Sequence, residues 1–242
     1  MRTQFLRSLM ALGLAASLAA SGAMARTLPL ATGLISLKSP EGVEILNHAT
    51  ARTPYVDLSI QFVTQKTQSF CGVASIVMVL NALDVDAPAQ AEYEPYRVFT
   101  QDDFFNAETE KIRPRALIDR RGMTVDQIGG LLGVYGAKAH VVHAADSSVD
   151  AFLQSARDYL STKGRYLIVN YYRQSLSQER GGHISPVAAY DEASDRFLIL
   201  DVARYKYPPV WVKAEDLFAA MNTPDSDNDM KSRGFVLIDS PD

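Results

Sequence analysis

Apolar and polar positions divide this chain into helical stretches in its first half and strand-like runs in its second. Cys71 to Leu83 is an almost unbroken apolar stretch of helical length, which predicts a buried helix. Thr124-Val125-Asp126-Gln127 is a capping-box pattern that opens a second helix towards Tyr135, with Gly136 as its stop. Val149, Phe152, Leu153, Ala156, Tyr159 and Leu160 recur at helical spacing, and Gly164 ends that helix. Thr100 to Arg115 reads as a short helix plus loop, and Ala214–Met221 as a short helix. Leu58, Ile60 and Phe62 alternate with Asp57, Ser59 and Gln61, the period-two pattern of a strand. Ala139–Val142, Tyr166–Tyr172, Ile184–Tyr190, Phe197–Val202 and Phe235–Ile238 complete the expected strands, while Thr27 to Ala51 reads as an irregular lead-in. Helices followed by mostly antiparallel strands predict an α+β fold, a helical lobe packed against a sheet lobe.

The first residues change this picture only at the terminus. Arg2 and Arg7, the apolar run Leu9 to Ala20 and the small-x-small site Ala23-Met24-Ala25 predict an export signal over residues 1–25. Cleavage after Ala25 leaves a single domain over residues 26–242, delivered to the periplasm or beyond. No later run is long and apolar enough to span a bilayer, so no membrane attachment is expected after cleavage. A formal charge of -4 argues against nucleic acid as the main partner.

Cys71 is the one cysteine in the sequence, so no internal disulfide can form. At the start of a helix it meets the positive end of the dipole, which favours thiolate. A lone cysteine can equally be a small buried hydrophobe. A nucleophilic thiol needs a base and a group to orient that base. Of the four histidines, His48 lies in the lead-in, and His140 and His143 form a weak His-x-x-His pair with no further ligand nearby; no metal site is expected. His183 follows Gly181-Gly182 and opens a strand. A hairpin closing near Tyr190 and Arg196 puts Asp201 diagonally across from His183, within side-chain reach. Gln65, six residues before Cys71, is a candidate oxyanion donor, with Gln61 and Gln68 as rivals.

Three segments carry a more specific likeness. Phe70-Cys71-Gly72-Val73-Ala74-Ser75 with its continuation to Leu83, Gly181-Gly182-His183-Ile184-Ser185-Pro186 with its continuation to Tyr190, and Leu200-Asp201-Val202-Ala203-Arg204-Tyr205 with its continuation to Val212 resemble the nucleophile, histidine and aspartate segments of phytochelatin synthases. Lys231-Ser232-Arg233-Gly234-Phe235 is similar to the end of that catalytic domain. The resemblance implies a papain-like fold with the active site between the lobes. It implies glutathione as substrate, Cys71 as the acylated nucleophile, His183 as base, Asp201 as its orienter and Gln65 in the oxyanion hole. Glycine leaves, and the γ-glutamylcysteinyl thioester passes to water or to a second glutathione. Asn170, Arg173, Gly182, Asp225 and Arg233 lie in segments similar to the family's substrate pocket. No cofactor is implied, because heavy-metal ions act as glutathione thiolates. Plant members carry a cysteine-rich C-terminal domain; with no second cysteine, this sequence resembles the short bacterial forms. A papain-like peptidase and a non-catalytic glutathione- or metal-binding protein remain alternatives, and pairing into a homodimer is left open.

Overall fold

A computed structural model of the chain describes residues 27–90 and 93–241. The export signal expected over residues 1–25 lies outside them. Seven strands form one sheet: β1 (Ile35–Ser36), β2 (Lys138–His143), β3 (Arg165–Tyr172), β4 (Gly182–Asp191), β5 (Arg196–Ile199), β6 (Val210–Lys213) and β7 (Gly234–Asp239). Their order is β1-β6-β5-β4-β3-β7-β2, and every pairing is antiparallel. The helices are α1 (Pro40–His48), α2 (Tyr55–Ile60), α3 (Cys71–Ala82), α4 (Ala107–Ile112), α5 (Arg115–Arg121), α6 (Val125–Val134), α7 (Val149–Ser161) and α8 (Ala214–Met221). The fold is α+β.

The sheet is covered on both faces, which explains why its strands read as continuous apolar runs rather than alternating ones. Tyr166 and Ile168 of β3 join one core with α3 and α6, whereas Leu167, Val169 and Tyr171 join the other with Phe152 of α7 and Leu217 of α8. Helix α3 lies inside over all but its last two residues: Cys71 through Leu80 are all buried. A helix apolar all round has no polar face to show solvent, so it must be central.

The period-two reading of residues 58–62 is overturned, because Tyr55–Ile60 is helical. A strand would send Leu58 and Ile60 to the same face. Instead Leu58 is fully buried and Ile60 is 73% exposed. The β4–β5 hairpin pairs Asp191 with Arg196, one residue off the expected closure, but a bulge between Val187 and Ala189 shifts the register back. Leu200 N then donates to Pro186 O at 3.0 Å, which carries Asp201 to the level of Ser185.

Candidate active site

Helix α3 starts at Cys71 with no side-chain cap, so the amides of its first turn keep free donors. Ser75 Oγ donates to Cys71 O at 2.7 Å and reaches Ile184 O at 3.3 Å, tying this turn to β4. The thiol itself lies against the backbone of Ile184, the residue after His183. Cys71 and His183 line one cleft of about 970 Å³.

His183 Nε2 sits 2.9 Å from Asp201 Oδ1 and 2.9 Å from Ser185 Oγ, and the ring meets Tyr171 edge-on at 5.7 Å. Nδ1 is left without a protein hydrogen bond among the described residues. Asp201 is fully buried and also accepts from Ala203 N at 2.9 Å. Burial alone would raise its carboxyl, but His183 and Arg173 outweigh that and hold it down at about 2. A thiol and an imidazole thus line one cleft, with a carboxylate held against the imidazole, the residue types from which a nucleophile and its base can be built.

The resting charge state differs from the helix-start expectation. Burial pushes the Cys71 thiol up, against the weaker pull of the Ile184 amide and the Arg173 charge. Burial likewise pushes His183 down, against the pull of Asp201. Both shifts favour the uncharged forms, because desolvation exceeds what the helix terminus and the carboxylate supply.

Arg173 does not stand where the substrate-pocket expectation put it. It is 4% exposed and outside the cleft lining. Its Nη2 lies 2.9 and 2.8 Å from the Asp201 oxygens, and Nη1 donates to Gln178 Oε1 at 2.6 Å. A buried guanidinium needs an anion, and the Asp201 carboxylate behind the histidine supplies it. Gln65 is also buried and outside the lining; its Nε2 donates to Thr67 O at 2.7 Å and Tyr205 Oη at 3.1 Å, while Oε1 has no partner. Of its rivals, Gln68 is exposed and lines the cleft, and Gln61 lines a separate groove beside α2.

Asn170, Gly182, Asp225 and Arg233 line the cleft with Cys71 and His183. Arg233 Nη2 is 3.5 Å from Asp225 Oδ1, Nη1 donates to Thr223 Oγ1 at 3.2 Å and to Pro224 O, and the guanidinium stands 5.3 Å from the Tyr172 ring. A buried cation beside a buried anion suits a ligand end that carries both an ammonium and a carboxylate. At Gly182 a Cβ would come 3.4 Å from Arg233 Nε and Nη2, an ordinary contact, so the backbone here packs directly beside that guanidinium.

Sequence reasoning missed Ser185, whose place two residues beyond His183 on a strand was the available signal. It also missed Arg120 and Arg121, which reach the cleft from α5, a helix not foreseen.

A family model described as phytochelatin synthase matches residues 25–235. Among curated relatives, glutathione gamma-glutamylcysteinyltransferase 1 of Lotus japonicus is 37% identical over 74% of this chain and 34% of its own length. Glutathione gamma-glutamylcysteinyltransferase 2 of Arabidopsis thaliana is 34% identical over 86% of this chain and 45% of its own length. The glutathione gamma-glutamylcysteinyltransferase of Schizosaccharomyces pombe is 30% identical over 76% of this chain and 43% of its own length. The chain therefore spans less than half the length of the curated relatives it matches. With the match running through the nucleophile, histidine and aspartate segments to the strand after Arg233, this chain belongs to the phytochelatin synthase family.

Proposed function

We propose that the chain is a thiol acyltransferase acting on glutathione, the activity after which its relatives are named. The observation that carries the reading is that Cys71 and His183, the latter 2.9 Å from the buried Asp201, line a cleft that also holds Arg233 beside Asp225. The γ-glutamyl carboxylate faces Arg233 and its ammonium faces Asp225. The neutral imidazole takes the thiol proton at Nδ1 as sulfur attacks the Cys–Gly carbonyl. The amide N–H of Cys71, free at the start of α3, donates to the oxyanion. Gln65 joins it only by releasing Thr67 O or Tyr205 Oη, since both its donors are engaged. Collapse breaks the C–N bond, His183 returns the proton to the departing glycine amine, and a γ-glutamylcysteinyl thioester remains on Cys71. His183 then takes a proton from water, giving γ-glutamylcysteine, or from the amine of a second glutathione, giving the shortest phytochelatin. Metal ions enter as thiolates on glutathione, and residues 1–25 direct export.

The test is mass spectrometry of protein and products after incubation with glutathione. The wild type releases glycine and carries a γ-glutamylcysteinyl adduct; Cys71→Ser does neither. Glycine release by the variant at the wild-type rate would sink the reading.

A further inference from the structure

His143 stood out in the sequence as half of a His-x-x-His pair, and the proposed chemistry leaves it unused. It ends β2 with 14% of its side chain exposed. Nδ1 lies 2.6 Å from the Ser232 carbonyl oxygen, and Nε2 lies 2.9 Å from Asp126 Oδ1. Carbonyl and carboxylate oxygens only accept, so satisfying both contacts requires a hydrogen on each ring nitrogen, the imidazolium form. Such a ring has no lone pair left for a metal.

Ser232 lies one residue before the end of the loop between α8 and β7, and this loop brings Asp225, Asp227 and Arg233 to the cleft. The same corner holds the loop elsewhere: Asn228 Nδ2 donates to Asp126 Oδ2 at 3.0 Å, and Ala144 N donates to Arg233 O at 2.9 Å. The charged groups facing His143 are Asp126 from α6 and Lys231 from the loop, whose Nζ is 3.7 Å from the same carboxylate. β7 presents only Gly234 opposite it. Burial raises the Asp126 carboxyl, yet donation from Asn228 and His143 outweighs this and holds it below its ordinary value.

We infer that His143 is a positioning residue for the donor substrate: it clamps the 222–233 loop to α6 and so sets Asp225 and Arg233. The inference deepens the proposed function, because it rests on reading those two residues as the γ-glutamyl pocket. Removing either ring contact frees one side of the corner, so the loop loosens and the two residues lose their set positions.

The test combines hydrogen exchange of residues 222–233 in the full chain with KM for glutathione at one fixed pH, for wild type, His143→Gln and Asp126→Asn. His143→Gln, which can still donate to Ser232 O but gives up the contact to Asp126, speeds loop exchange and raises KM about tenfold, the loss of one charge-assisted contact, while kcat moves less. Asp126→Asn removes the anion that holds His143 and Asn228 and acts in the same direction. Loop exchange and KM unchanged in both variants would overturn the inference. The exchange arm needs no turnover, so it decides the matter even if glutathione proves not to be the substrate.

Discussion

A guanidinium as buried as that of Arg173 must be matched by an anion, and here the anion is the carboxylate that orients His183. Arg173→Met therefore strips compensation from a fully buried Asp201 and should cost about 3–5 kcal/mol of stability. It should lower kcat with little change in KM for glutathione, because the side chain stands behind the reacting groups. Thermal melting and steady-state kinetics check this together; a raised KM at unchanged stability would return Arg173 to the substrate pocket. The sequence could not make this distinction. An arginine before the Gly181-Gly182-His183 segment is equally placed for ligand or for carboxylate, and only the direction of its side chain decides.

Among elements, the long apolar helices and central strands were legible because burial on every side leaves a pattern that no loop can imitate. Helix α3, α6, α7 and α8 and the three central strands were all expected close to where they lie. Helices α1, α2 and α5 and strands β1 and β6 were not. Helix α1 has a serine cap, Ser39 accepting from Gly42 N, and Pro40 in its first turn, but a glycine- and proline-containing lead-in hid it. Helix α2 was misread because six residues carry too few turns to separate a period of two from one of 3.6. The β2–β7 pairing offers a test at this scale. A Cβ on Gly234 would lie 2.0 Å from Val142 O, a backbone atom with little freedom to retreat. Gly234→Ala should cost at least about 1–3 kcal/mol and disturb Arg233 next to it. Chemical denaturation with glutathione affinity of the refolded protein measures both effects, and a neutral substitution would show that the pairing is looser than described.

For the molecule as a whole, acid is the weak side of the site. His183 is lowered in the folded state, so its contribution is present above the unfolded value and is lost as pH falls through the folded one. Asp201, lowered to about 2, adds a second loss deeper in acid. Stability should therefore decline on acidification, and His183→Gln should flatten the first part of that decline. Melting temperature against pH for the two proteins reads the difference; parallel curves would refute it.

What the chain determined by itself is local and periodic. Apolar runs set which segments are buried, cap residues set where helices begin, and an Asp one hairpin away from His183 set a contact that forms at 2.9 Å. What only the tertiary structure decided depends on neighbours distant in sequence. Thiol and imidazole are biased towards their uncharged forms because many segments together exclude water from them, and a short helical motif cannot encode that desolvation. The cleft is likewise assembled from β3, β4 and the loop before β7, whose meeting is a property of the folded sheet.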